Sequence, residues 1–364
     1  MPRALLFLIA WLASLPVLAQ TVVDMAGRSI TVPPRVERIL LGEGRFVPAL
    51  AILERGDPLR RVAGMLGEWE QFDAAGYAQY RARFPHIARI VRIGRTTGDS
   101  FSVEQAIALR ADLAIFGLEG HGPSPHDTAT LERLKKAGVT VAFIDFRQDP
   151  VRNTPASMKL LGALLRRNKE ASEFNAFYTR ELARVTAKLP AETAPRVFIE
   201  NRVGLGAECC ATMGHGMMGT FVDLAGGANI ARDKVLGTHG TLSLEYLLAN
   251  QPDVYIGTAI GTPGARDGRI ALGADVAPNE ARTSLAAVLK RPGIAQLKAV
   301  RNGRAYAVWH HFYSSPFNVA AVQAFAKWLH PERFADLDPD KTLRTLYARF
   351  QPVPFSGTYW VSLK

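Results

Sequence analysis

Along this chain the hydrophobic residues change period repeatedly, and each change marks an element. Apolar runs within Arg38 to Leu41, Leu113 to Phe116 and Val139 to Asp145 predict strands buried on both faces, since a strand with one wet face would alternate. The pattern returns at Arg196 to Glu200, Val254 to Ile256 and Ala305 to Trp309. Between them, helices are predicted over Thr130 to Ala137, closed by Gly138, over Gly219 to Gly226 and around Ser284 to Leu289, with another starting near Asn318. Strands alternating with helices predict mostly parallel sheets.

The chain also matches itself. Ser102-Val-Glu104-Gln-Ala-Ile-Ala108-Leu-Arg-Ala-Asp112-Leu-Ala-Ile115 and Ser243-Leu-Glu245-Tyr-Leu-Leu-Ala249-Asn-Gln-Pro-Asp253-Val-Tyr-Ile256 keep Ser, Glu, Ala, Asp and Ile in register. In each, the serine is placed to cap a short helix that leads through the aspartate into a strand. Two similar α/β halves are implied. Between them Met158, Leu161, Leu165, Phe174, Tyr178 and Leu182 trace one face of a helix expected from Thr154, its cap, to Leu189, with Pro190 as its stop. Some 35 residues at about 1.5 Å each give a rod of roughly 50 Å, stiff where a Gly/Ser linker would be flexible.

The amino terminus places Met1-Pro2-Arg3 before an apolar run from Ala4 to Leu18 and then Ala19, the pattern of a secretory leader cut after Ala19. That run is shorter than the roughly 20 residues of a membrane span, and Pro16 interrupts it. The cysteines are Cys209 and Cys210 alone, so none follows the cut to carry a lipid. The expected plan is a signal peptide at 1–19, an α/β lobe at 20–153, an interlobe helix at 154–189 and a second α/β lobe at 190–364. With 48% apolar residues the chain can bury two cores. Its formal charge of +11, lowered by one when Arg3 leaves with the leader, is spread over scattered arginines. Scatter and export argue against nucleic acid, and leave an anionic ligand, an anionic membrane surface or plain solubility.

Asp24 to Pro33 (DMAGRSITVP), Arg38-Ile39-Leu40, the two Ser-x-Glu…Asp segments, Ala225-Gly226-Gly227-Ala228-Asn229 and Gly303-Arg304-Ala305-Tyr306 together resemble the iron-chelate and cobalamin class of periplasmic binding proteins. These are the TroA-like, helical-backbone members of the ABC importers, and the resemblance covers nearly all of the chain after the leader. It implies the class III fold: an α/β protein of two Rossmann-like lobes with mostly parallel sheets, bridged by one long α-helix, with ligand in the cleft and small hinge motion. It further implies that Glu104 and Glu245 lie on the outer surface of each lobe and pair with arginines of a permease dimer in the inner membrane. Read without it, each is an acidic residue favoured by the helix dipole. The expected protein is a periplasmic monomer without intrinsic cofactor, metal centre or catalysis.

Ligand contacts are sought in loops at the carboxyl ends of the strands. In the first half these loops hold Arg45, Trp69, Arg95 and His121; Arg95 resembles the arginine that ferric-hydroxamate binders place before their docking glutamate. A guanidinium pairs in two-pronged fashion with carboxylate, hydroxamate or catecholate oxygens, and a surface charge or, for Trp69, a core position is the plain alternative. In the second half Arg202 follows a predicted strand, and Gly206 to Gly219 contains Cys209, Cys210, Met213 and His215. Adjacent cysteines in an oxidising compartment suggest a vicinal disulfide, an apolar knuckle for a flat ligand, despite a Cα spacing of about 3.8 Å that is short for the bond. Alternatively, the same residues are soft ligands for a thiophilic metal, though no CxxC or CxxCH spacing supports it. The last cluster, Trp309-His310-His311-Phe312-Tyr313, supplies rings and imidazoles to a cleft wall or to interlobe packing.

The function expected is capture of a ferric siderophore or related iron chelate for an ABC permease. Haem, cobalamin, and nickel or cobalt chelates stay open, with His215, His310, His311 or Tyr313 as axial ligands for haem. The rival of another class is a periplasmic thiol or metal enzyme centred on Cys209 and Cys210.

Overall fold

The structure, a computed structural model, describes residues 20–189, 194–206, 209–264 and 268–363. The leader, Pro190 and the start of the second lobe at 190 lie outside the described residues. In the first lobe five parallel strands lie in the order Val91–Arg92, Val62–Met65, Ile39–Leu41, Leu113–Gly117, Thr140–Ile144. All three residues of Ile39–Leu41 are buried, which is why no alternation marked this strand. Chain order reverses between Ile39–Leu41 and Leu113–Gly117, so the loops leaving these neighbours diverge and open a crevice above the sheet.

The second lobe repeats the device in a sheet of seven strands. Its parallel centre is Arg196–Glu200, Val254–Ala259 and Ala305–Trp309, with antiparallel strands added at both edges. The internal repeat has a shared structural cause in the two lobes. Ser102 accepts from the Gln105 amide at 3.3 Å and Ser243 from the Tyr246 amide at 3.1 Å, each capping its helix. Asp112 accepts from the Arg38 amide at 2.8 Å and Asp253 from the Arg196 amide at 3.1 Å, each holding the entry to the neighbouring strand. Among the described residues, no helix is long and apolar enough to cross a membrane.

The connection between lobes departs from the expected single rod. Helices Pro150–Leu165 and Asn168–Thr186 fold back on each other around Arg166, whose φ of 57° is left-handed. The side-chain amide of Asn175 reaches the Pro155 carbonyl at 2.8 Å, and a Cβ on Gly162 would lie 2.6 Å from that of Ala171. Glycine there lets the two helices approach. The apolar stripe ran on through the break because both helices bury a face, and spacing alone does not register one left-handed residue. Asp149, not Thr154, caps the first helix; Thr154 is buried and donates to the Pro150 carbonyl at 2.6 Å. At about 1.5 Å per residue the helices measure roughly 24 and 28 Å.

Stiffness survives this correction for another reason. One buried cluster runs from Ile39 and Leu113 through Phe174 of the helical hairpin to Phe325 and Phe350 of the second lobe. The Tyr178 hydroxyl donates to Asn318 at 2.6 Å, and Phe174 meets the Phe350 ring edge-on at 5.4 Å. Separating the lobes widely would expose this core. Phe174→Ala is expected to lower stability by about 3–5 kcal/mol, with unfolding still a single transition because both lobes lean on that ring. Denaturant melts followed by near- and far-ultraviolet circular dichroism check this; two separated transitions would contradict the shared core.

Candidate ligand cleft

A cavity of about 370 Å³ opens between the lobes where the reversal points of the two sheets face each other. Arg45, Phe72 and His121 line it from the first lobe, and Arg202, Ile260, Arg269, His310, His311 and Tyr313 from the second. The structure thus brings together six residues singled out from sequence: Arg45, His121, Arg202, His310, His311 and Tyr313.

Arg45 is buried among acids and acceptors, although its Nε donates no hydrogen bond. Its guanidinium donates to Glu43 at 2.9 Å and lies 3.5 Å from Glu68, which in turn accepts the Gly44 and Arg45 amides at 3.0 and 3.1 Å. It also donates to His311 Nδ1 at 2.9 Å and to the Ser314 hydroxyl at 3.3 Å. His311 Nε2 sits 2.8 Å from the Phe72 carbonyl and so carries the proton, leaving Nδ1 as acceptor. Both nitrogens of His311 are therefore engaged across the lobe boundary. Arg147 approaches Glu43 at 3.5 Å and lies over the Tyr313 ring at 4.9 Å.

These neighbours divide the acids by charge. Burial pushes Glu43 up, but Arg45 and Arg147 outweigh it and hold the carboxyl below its usual range. Burial raises Glu68 to about 7, with Glu43 adding to it and Arg45 opposing. Burial also lowers His121, and drives His310 and His311 well below the ordinary imidazole value, with nearby cations adding to the effect. Around a neutral-imidazole wall the cleft keeps cationic arms. Arg202 is exposed, with φ of 50° in the left-handed region, fixed by its amide donating to Thr258 at 2.7 Å.

The other candidates stand elsewhere. Trp69 is buried, donates to Asp73 at 3.2 Å and packs edge-on against Tyr77 and Tyr80, so it supports the cleft wall without lining it. Arg95 is exposed on the loop after Val91–Arg92, outside the cleft. Trp309 stacks its edges against His311, Phe312 and Tyr359 and orients the histidine from behind. Met213, Met217 and Met218 are core residues, and His215 lies exposed 3.4 Å from Asp233. Cys209 and Cys210 form a vicinal disulfide across a cis peptide bond, and Cys209 borders a different cavity beside Glu245. Soft-metal ligation is overturned by these positions: both sulfurs are bonded to each other and the methionines are packed away. Among the described residues no group of three or more His, Cys, Asp or Glu is placed to hold a metal ion.

Sequence reasoning passed over Glu43, Glu68, Phe72, Arg147 and Arg269. Arg147 follows the predicted strand Val139 to Asp145 directly, a signal equal to the one that selected Arg202. Glu43, two residues past the strand Arg38 to Leu41, carries the same signal, whereas Glu68 has no such mark because its role is to neutralise Arg45 in space.

The family model described as "Periplasmic binding protein" matches residues 77–308. The chain belongs to that family. Its two lobes have the fold of solved TroA-like periplasmic binding proteins. The TroA-like periplasmic binding protein FepB from Veillonella parvula is 24% identical, with a TM-score of 0.83 over 94% of this chain and 99% of that one. The molybdate-binding MolA of Haemophilus influenzae is 16% identical, at TM-score 0.68 over 93% and 99%. The haem-binding RhuT from Roseiflexus sp. RS-1 is 21% identical, at 0.58 over 82% and 100%. These likenesses show the fold. No curated protein matches the chain.

The depressed histidines give the binding protein a pH dependence of definite sign. In the unfolded chain each imidazole takes a proton near the ordinary 6.5, whereas in the fold His310 and His311 resist it. Protons on these imidazoles thus favour the unfolded chain, and their contribution to stability falls as pH drops through about 6.5, by up to ~1.4 kcal/mol per pH unit for each histidine, while Glu68, raised to about 7, opposes them between about pH 7 and 4.5. His311→Asn should flatten that slope in thermal melts between about pH 7.5 and 5. An unchanged slope in this variant and in His310→Asn would refute the assignment. Native protein should also show no free thiol, read by reaction with a thiol reagent before and after reduction.

Proposed function

We propose that this binding protein captures an anionic iron chelate of the ferric siderophore kind in the periplasm and delivers it to an ABC permease dimer in the inner membrane. The observation that carries the reading is the set of arginines at the two facing reversal points. Arg45 lines the cavity from the first lobe and Arg202 and Arg269 from the second, with Arg147 behind them 3.5 Å from Glu43. Such forks suit the oxygen-rich periphery of a ferric hydroxamate, catecholate or carboxylate, and Phe72, Leu205 and Ile260 offer apolar contact to its scaffold. Capture and release require no bond making. The bond between Cys209 and Cys210 speaks against the enzyme alternative, which calls for a free thiol.

Export fits a leader cut after Ala19, and the binding protein acts as a monomer in this reading. Delivery uses Glu104 and Glu245, both exposed at corresponding positions of the two lobes. Haem is the second reading, favoured by Tyr313 and His310, whose rings meet at 4.8 Å on the cavity wall. His311 is removed from the axial candidates by its two hydrogen bonds, and His215 by lying outside the cleft.

Tryptophan-quenching titrations with ferric hydroxamates, catecholates, carboxylates, haem and cobalamin test the proposal. Submicromolar quenching by an anionic ferric chelate is expected, weakened about tenfold or more in Arg202→Ala. Saturation by haem alone with a Soret band lost in Tyr313→Phe would establish the second reading instead. Glu104→Ala with Glu245→Ala should leave ligand affinity within about twofold and abolish uptake.

A further inference from the structure

The cavity next to Glu245 differs from anything at Glu104. It measures about 650 Å³, and Cys209, Leu242, Leu244, Pro292 and Ile294 wall it with the Glu245 side chain at its edge. The other charge in it, Arg291, is matched: its guanidinium donates to both oxygens of buried Glu200 at 2.8 and 2.6 Å. Glu245 is exposed and forms no ion pair among the described residues. A carboxylate without a partner thus faces an apolar hollow whose own cation is already neutralised. In contrast, Glu104 pairs with Arg133 at 2.7 Å, and both side chains are half exposed or more.

The vicinal disulfide belongs to this hollow. Cys210 is buried in the second-lobe core, and its carbonyl accepts the Leu242 amide at 3.1 Å, just ahead of Ser243 and Glu245. Cys209 is thereby held on the wall as a sulfur surface that carries no charge and asks for no hydrogen bond.

From this contrast we infer that docking on the permease is asymmetric: the second lobe receives a cationic side chain flanked by apolar residues, projected by the permease subunit beneath it, into the hollow beside Glu245. The inference rests on the docking role read for Glu104 and Glu245. An arginine or lysine entering there meets an unmatched carboxylate at the edge of a low-polarity wall, where the pair attracts more strongly than in open water. Its apolar neighbours cover Leu242, Leu244, Pro292 and Ile294. At the first lobe the permease cation must instead displace Arg133 from Glu104 on a flat, wet surface, where an exposed ion pair contributes little. The second lobe then supplies most of the docking affinity, and the first lobe orientation.

Thr241 lines the hollow and is exposed, so its replacement leaves the core untouched. The test measures binding of the fluorescently labelled protein to nanodiscs holding its permease dimer, by anisotropy. Thr241→Trp, which fills the hollow without adding charge, should weaken docking about tenfold or more, Thr241→Ser should stay within about twofold, and Glu245→Ala should weaken it more than Glu104→Ala. Melting curves and ligand affinities should match the parent in all four, with the quenching amplitude of Thr241→Trp reduced by its added tryptophan. If Thr241→Trp docks like the parent while Glu245→Ala does not, the hollow is unused and only the glutamate matters, which overturns the inference and leaves the docking reading intact. If neither glutamate variant changes docking, the docking reading itself falls.

Discussion

A guanidinium buried between two lobes must be neutralised where it stands, and at Arg45 that requirement organises the cleft. An unpaired buried cation costs several kcal/mol, so Glu43 is brought to it from the loop after Ile39–Leu41 and Glu68 from the first position of the helix Glu68–Phe72. The two acids in turn fix neighbouring backbone through amides: Glu68 takes Gly44 and Arg45, and Glu43 takes His121 at 3.2 Å. The remaining donors of Arg45 cross the lobe boundary to His311 and Ser314. One charge thereby sets the floor of the cavity, the tautomer of a histidine and the distance between lobes.

This local network works within a larger constraint, the apolar core that runs through the helical hairpin. Because the hairpin shares its buried face with both lobes, closure by a wide swing is denied, and the cleft must be near its bound shape before ligand arrives. Parts of the cleft are held in advance: the Arg202 backbone by its left-handed conformation and Thr258, and the His311 side chain by Arg45, Phe72 and the Trp309 ring.

The two halves repeat a structural solution and differ in their surfaces. Ser102 with Asp112 and Ser243 with Asp253 cap a helix and anchor a strand in the same way, which explains why these positions stay in register. No such demand acts on what surrounds the glutamates. There one lobe keeps a paired, wet carboxylate and the other a hollow faced by a disulfide.

Strands such as Arg196–Glu200 and Ala305–Trp309 were legible residue for residue, because unbroken apolar runs bounded by turns have few other meanings. The repeat and the family resemblance followed from order and spacing, which local chemistry determines. The break at Arg166 escaped, since a stripe at helical spacing continues unchanged through a fold-back that buries the same face. So did the division of candidates: Trp69 and Trp309 read like cleft residues and proved to be the wall's support, while Glu43 and Glu68, not singled out at all, proved to be buried counterions. The sequence by itself determined the elements, their order and the residue types at strand ends, because these depend on neighbours along the chain. Which of those residues meet across the cleft, which charges cancel and which carboxylate is left without a partner was decided only by tertiary structure, because pairing and burial depend on neighbours in space.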